Sequence, residues 1–594
     1  MIRLLERDPK SAFGIATILD IEKIPYVRVC RPDEGGDALL VVAGHVRDER
    51  EAADVLGQPS VVFDGGPHLA RSFAAGCDAD SRSASSSIRL NDRCWPAGTV
   101  KIARAFDKTT VRIPRAPICP VSRVGADSEV LATYEGSQGS GHDDAPAILL
   151  RGHSVWATVD LGQAFADLTT EDYFSPLPET RRGAMFEGLT QRGTRGSYCT
   201  TSPAVFRLRG ARHREELEQR LGRGGASTSD YPIDTTGWLI MELVRGLLLL
   251  ASGRCVRLAR WPAPHESAAM LTHDIEPRRY AYKRGLDRLL DHADVSGNPS
   301  AIGLVADASA RFLSSQSVTR LQRHAVMCHG LAHRGESSYE SSSSALRTIR
   351  AAKTRLELQL GREIVGFRNP CYDRSTSLQA ALDEAGFRYD SSWPDVDRKR
   401  DATYGAGVRL NVPFRPPILD RTSRSLRPSR CLELPLTAPD CIEPVLNGRG
   451  FDELTAEVER KATFIRATGG IYVARVHGGA FGNEDARTRG CHLAFVTYQL
   501  KKPGVWLAAV DDLVGWWSAR EQVTVSMSMV GVRVRNDGPT PVTGMRLLVA
   551  TRFSEESVEL PTLQPGHDID VSLASGKPGA DAVREVATSR STSA

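Results

Sequence analysis

A chain of 594 residues exceeds what one ordinary core organises: domains commonly hold about 100–200 residues, so roughly two to four are expected. Hydrophobic residues at 41% and charged residues at 25% exclude a chain disordered throughout. Lys and Arg total 76 against 72 Asp and Glu, and a net charge of +4 without a dominant basic block gives no electrostatic reason for nucleic-acid binding.

The N-terminal stretch MIRLLERDPKSAFGIATILD lacks the uninterrupted apolar segment of a signal peptide, because Glu6, Arg7, Asp8 and Lys10 interrupt it. A cytoplasmic protein is therefore expected. The runs SAFGIATILDIEKI, YVRVC, ALLVVAGHV, SVVFDGG and HLARSFAAG then alternate between helix-like and strand-like, which predicts a parallel α/β unit. Ser- and Gly-rich stretches at Asp80–Ser87 and Tyr134–Pro146 read as breaks around a β-rich section, and SVWATVDLG as a later strand. This region loosely resembles the flavodoxin-like or glutamine-amidotransferase-like class. Its strand-to-helix turn VFDGGPH (Val62–His68) holds no cysteine nucleophile, so a binding or scaffolding role is expected. The 11 cysteines are scattered without a C-x-x-C pair, which predicts reduced thiols and no structural zinc cluster.

The most apolar segment, Gly237–Gly253, is shorter than the about 20 residues a membrane span needs and carries Glu242 and Arg245. A buried helix is expected and no membrane span. Apolar runs follow at AAMLTHD, AIGLV, HAVMCH, EIVGFR, CLELPL and GIYVARVH, with helical stretches such as SSSSALRTIRAAKTRLELQLG and ELTAEVERKATFIRATGG between several of them. Asp274, His329, Arg368 and His477 each stand at the C-terminal end of such a run. In a barrel of parallel strands that edge carries the active site. The Arg-rich piece Arg421–Arg430 reads as a solvated loop. Thr524–Phe553 alternates polar and apolar residues around the turn NDGPTPVTG, as a small antiparallel sandwich does, and the tail from Gly576 has too few apolar residues to fold by itself and is expected to be mobile. The fold class is thus α/β: a distorted (β/α) barrel over residues 236–520, an N-terminal α/β domain over 1–235 and a C-terminal β-sandwich domain over 521–594.

In LTHDIEP (Leu271–Pro277) two acids, Asp274 and Glu276, stand one residue apart and on a strand would share a face. Like charges so close require a cation between or opposite them. In CHGLAHRG, His329 and His333 are four apart, neighbours on one face if a helical turn begins there, and able to chelate a divalent metal. Two imidazoles and one carboxylate leave a coordination position open, as a catalytic site does.

THDIE (Thr272–Glu276), HGLAH (His329–His333), RNPC (Arg368–Cys371) and RVH (Arg475–His477) stand in the order of four motifs of one family. Over about residues 255–520 the chain resembles the polysaccharide deacetylases, the NodB-homology or family 4-like carbohydrate esterases, whose pieces look like T-F-D-D-G or F-D-x-D/E, H-S/T-x-x-H, R-x-P-Y and L-x-H. The resemblance implies Asp274 as general base, Glu276, His329 and His333 as ligands of a divalent metal, zinc by expectation, and Arg368 as partner of the base. It also implies the backbone N–H of Cys371 as oxyanion donor and His477 as general acid. Ile275 stands where the T-F-D-D-G form has its metal-binding aspartate, so ligation shifts to Glu276. Cys371 replaces the aromatic after Pro370, and Arg475 the leucine before the final histidine. The implied activity is metal-dependent removal of an N-acyl (acetyl) group from a carbohydrate. The alternative is a catalytically inactive glycan-binding protein on the same fold. The sequence sets no oligomeric state.

Overall fold

The structure, a computed structural model, describes most of residues 1–169 and residues 233–333, 342–370, 376–396, 408–419, 426–438, 451–477, 496–528, 531–573 and 583–586. Strands β1 (Ile2–Glu6), β2 (Tyr26–Val29), β3 (Leu39–His45) and β4 (Ser60–Gly65) are parallel neighbours. Helix α1 (Pro9–Glu22) covers them. It starts where the Asp8 side chain accepts the Ser11 N–H, with Pro9 in the first turn, where a missing N–H is harmless. With β5 (Arg82–Leu90), β6 (Thr110–Ile118), β7 (Glu129–Glu135), β8 (Pro146–Arg151) and β9 (Ser154–Ala157), these form a nine-stranded sheet in the order β2-β1-β3-β4-β9-β8-β7-β5-β6. β9 runs parallel to β4, and the strands beyond it are antiparallel. The serine-rich stretch expected to be a break lies largely within β5. Ladders to β6 and β7 on its two sides override the low strand preference of its residues. The expected boundary near residues 220–235 falls mostly outside the described residues.

Helix α2 (Thr236–Ser252) is buried along nearly all its length, and among the described residues no helix is long and apolar enough to cross a membrane. After β10 (Arg254–Leu258) the chain lays down β11 (Ser267–Ile275), β12 (Ser300–Leu304), β13 (Ala325–Cys328), β14 (Gly366–Phe367), β15 (Tyr389–Asp390), β16 (Leu432–Glu433), β17 (Ile471–Arg475) and β18 (Val505–Leu507). Every pairing among these strands is parallel, in the order β16-β15-β14-β13-β12-β11-β17, with β18 added to the start of β11. The extended chain beyond β16 bridges Ala438 to Ala474 of β17, and Thr437 Oγ1 accepts the Val473 N–H at 2.7 Å. That link joins the two ends of the sheet into an irregular ring. Helix α3 (Ser342–Leu360) packs Ile349, Ala352 and Leu356 into a core shared with Ile302, Leu304, Val326 and Phe367 of the strands, while α5 (Val510–Glu521) packs Leu513, Val514 and Trp517 against Ala268, Met270 and Val473. Helix α4 (Phe451–Ala467) leads into β17.

The C-terminal part has two antiparallel sheets. β19 (Val523–Ser528), β20 (Gly531–Asn536), β23 (Asp568–Ser572) and β24 (Val583–Val586) form one, and β21 (Arg546–Thr551) and β22 (Glu555–Glu559) form the other with β10. The NDGPTPVTG turn joins strands of different sheets, because β21 pairs with β10 and β20 pairs with β19 and β23. Within the tail expected to be mobile, Val583–Val586 pairs with β23, whose free edge supplies the hydrogen bonds that the segment could not make alone. Glu22 at the end of α1 is fully buried between Arg257 (3.0 Å) and Arg260, and Arg257 also holds Glu555 at 2.9 Å. This network ties all three parts of the chain together.

Candidate active site

Asp274 is the penultimate residue of β11, His329 and Arg368 follow β13 and β14 directly, and His477 lies two residues past β17. All four thus reach the C-terminal edge of the ring. Arg368 is fully buried and its planar fork is used on every side. Nε donates to Ser391 O at 2.7 Å, Nη2 to Ser391 Oγ at 2.8 Å and Nη1 to Thr272 Oγ1 at 2.9 Å, with Asp274 Oδ1 3.4 Å from Nη1. Thr272 in turn donates to Ala474 O at 2.8 Å, so the arginine is aligned by strands on both sides of β11. Burial opposes ionisation of Asp274, but Arg368, then His329, His477 and Arg475, outweigh it and hold the carboxyl well below the usual range. Gly303 of β12 makes the room: a Cβ there would stand 2.9 Å from Asp274 Oδ1.

Glu276, just beyond β11, points one oxygen at His477 Nε2 (3.1 Å) and the other at His333 Nε2 (3.5 Å). Burial raises its pKa, and His333 and His477 more than reverse that, so Glu276 is also ionised. The rings of His329 and His333 are 5.0 Å apart, but the expected helical turn is absent. Left-handed backbone at Gly330 (φ 77°) and His333 (φ 58°) curls the segment back instead, and a Cβ at Gly330 would strike Pro370 Cγ at 2.9 Å. His329 Nδ1 lies 2.9 Å from Arg368 O, so it carries the proton and Nε2 keeps its lone pair. Burial lowers the His329 pKa to about 4, which keeps the ring neutral and fit for ligation.

These donors suit a divalent ion in their chemistry. Ligand atoms about 2.1 Å from a tetrahedral zinc stand about 3.4 Å from one another, and the Glu276–His333 separation of 3.5 Å is of that size, whereas it is long for a hydrogen bond. Among the described residues, however, no three such side chains are drawn together closely enough to hold an ion as they stand. Cys371, the expected oxyanion donor, lies outside the described residues, as does His492. His273 Nδ1 meets Val476 O at 3.2 Å, and Trp393 and Trp517 are buried against Phe414 and Trp261, all structural placements. The sequence reading missed Thr272, Gly303, Ser391 and two further acids, Asp390 and Glu433. Both acids are fully buried beside Arg368, and only Glu433, inside the apolar run CLELPL, carried a signal that could have singled it out.

No known family profile matches the sequence, and no curated protein is similar to it. Solved structures are similar. The polysaccharide deacetylase Bc1974 from Bacillus cereus is 16% identical over 41% of this chain and 91% of its own, with a TM-score of 0.26. PuuE allantoinase is 16% identical over 44% and 93%, with a TM-score of 0.36. The carbohydrate deacetylase Agd3 is 11% identical over 95% and 98%, with a TM-score of 0.32.

Proposed function

We propose that the protein is a metal-dependent hydrolase that removes an N-acyl, by preference acetyl, group from a carbohydrate. The observation that carries this reading is a buried Asp274 carboxyl 3.4 Å from the Arg368 guanidinium, within one strand edge that also holds Glu276, His329, His333 and His477. An amide carbonyl is a poor electrophile and an amine a poor leaving group, so the reaction needs an activated water, charge stabilisation and a proton donor. A divalent ion, zinc for a set containing two imidazoles and a carboxylate, would be held by Glu276, His329 and His333 and would polarise the carbonyl and acidify a water. Asp274 accepts the proton of that water, and Arg368 keeps the carboxylate ionised and aimed. By the motif resemblance, the Cys371 N–H would donate to the developing oxyanion. His477, oriented by Glu276, passes a proton to the departing amine. The choice of a carbohydrate amide follows the motif resemblance.

A glycan-binding protein without turnover is the second reading, favoured by the direct Glu276–His477 contact and by donors not drawn up around one point. Purified protein should contain one equivalent of divalent metal by mass spectrometry, lost in His329→Ala. Asp274→Asn should keep the metal while deacetylation of N-acetylated chitin oligosaccharides falls by about 10²- to 10⁴-fold. Turnover indifferent to chelation would defeat the metal assignment, and metal-loaded protein without turnover would favour the binder.

A further inference from the structure

The seat of Arg368 is itself held by a pair of carboxyls to which the chemistry above gives no part. Asp390 ends β15, Glu433 ends β16, and the two are register partners on adjacent parallel strands. Both are fully buried. Each has one oxygen committed to the segment that follows β15. Asp390 Oδ1 accepts from Ser392 Oγ, which accepts the Asn369 N–H at 2.8 Å, and Glu433 Oε1 accepts the Trp393 N–H at 2.9 Å. Their second oxygens, Asp390 Oδ2 and Glu433 Oε2, are buried without a hydrogen-bond partner outside the pair, and register pairing on adjacent parallel strands sets the two carboxyls side by side on one face of the sheet. Two acceptors can share such a contact only if one of them carries a proton.

The tripeptide between these anchors, Ser391–Trp393, is what Arg368 rests on. Ser391 supplies the carbonyl for Nε and the hydroxyl for Nη2, and that hydroxyl is itself fixed by donating to Leu434 O at 2.9 Å. Ser392 fixes the backbone of Asn369, two residues before Cys371. We propose that Asp390 and Glu433 share one proton and act as a positioning pair, locking the Ser391–Trp393 segment that seats Arg368 and the Asn369 backbone leading to the oxyanion donor. The catalytic part of this proposal rests on the function given above; the shared proton does not. Burial, then the charge of Asp390, pushes Glu433 well above the usual carboxylate range; burial raises Asp390, against its hydrogen bonds with Ser392 and Glu433, and Arg368, just past β14, acts against both shifts. The thiol of Cys431, on the approach to β16, is itself pushed up by burial and then by the charges of the pair and of Asp383. The native protein therefore holds a proton that the unfolded chain releases above the ordinary glutamate range. The sign follows: this site's contribution to stability falls as pH rises through that window.

The experiment uses the full chain. At neutral pH the infrared difference spectrum of the wild type minus Glu433→Gln should show a carboxylic-acid C=O stretch over that of the other buried acids, such as Asp160, since the Gln amide donates to Asp390 and its oxygen still accepts from Trp393. Glu433→Gln should also flatten the alkaline fall of Tm and keep kcat on chitin oligosaccharides within about threefold. Glu433→Met, which fills the volume but strands the Trp393 N–H, should lower kcat by about a hundredfold with KM little changed, as a misaligned catalytic group does. If Glu433→Met does not fold, Ser392→Ala cuts the link to Asn369 and should lower kcat in the same sense. Absence of that band from the difference spectrum overturns the shared proton. Wild-type kcat in Glu433→Met, or in Ser392→Ala where that replaces it, overturns the positioning role. A wild type that does not hydrolyse the probe defeats the proposed function and the positioning role together, yet leaves the band to decide the proton.

Discussion

At the C-terminal edge of the N-terminal sheet, β3 ends on His45 and β4 carries Asp64, with His45 Nε2 2.7 Å from Asp64 Oδ2. At the same edge of the barrel, β11 carries Asp274 and is followed by Glu276, and histidines again stand close by. Both places bring acids and imidazoles together at the ends of parallel strands, but they treat charge differently. His45 is half-exposed, and nearby Asp160 is fully buried with a pKa raised to about 7 by burial, its hydrogen bonds from Ser11 and Gln163 being too weak to offset that. Asp274 is equally buried but ionised, because Arg368 lies inside the fold beside it. Placement at a strand edge gathers the groups. A buried countercharge decides whether an acid there can serve as a base at neutral pH.

Removing that countercharge should have the largest effect. Arg368→Met leaves a buried carboxylate unpartnered and should lower stability by about 3–5 kcal/mol, read as a drop in Tm, with Asp274 taking up a proton. A Tm close to the wild type would show that the neighbouring histidines suffice. Gly303→Ala sets a methyl against Asp274 Oδ1 and should be milder, about 1–3 kcal/mol, while displacing the carboxylate and reducing kcat more than it raises KM. A fully active Gly303→Ala protein would place the reacting water elsewhere. His45→Ala should change stability least, by less than about 1 kcal/mol, since the pair is screened by solvent, and should leave barrel activity unchanged. The hydrogen bond that His45 donates to Asp64 raises the His45 pKa, so its contribution is full below the ordinary histidine pKa and disappears as pH rises through the raised one. Melting curves of the wild type and His45→Ala should converge toward alkaline pH; divergence there would reverse the assignment of the proton.

Much of the barrel was legible because its strands are short apolar runs that stop at a polar residue, and Asp274, His329, Arg368 and His477 stand where those runs end. The partners of Arg368 were not. Thr272, Asp390 and Glu433 are strand residues and Ser391 follows a strand, and only the pairing of strands places them around one guanidinium. The approach of His333 to His329 was expected for the wrong reason: two left-handed residues bring them together, a local bend that four-residue spacing does not reveal. β10 was equally hidden, since its partner β21 lies almost 300 residues further along and an edge pairing of that range leaves no periodic trace.

The sequence by itself determined which residues are capable of the chemistry and that they fall at the ends of consecutive strands, because alternation and apolar run length are local consequences of burial. Tertiary structure alone decided which acids are ionised and which hold a proton. Asp274 and Glu433 are both buried carboxyls in apolar strands, and what separates them is the neighbour across the fold, an arginine for one and a second carboxyl for the other. Electrostatic energy depends on distance in space, and the chain brings those distances into being only when it closes the ring.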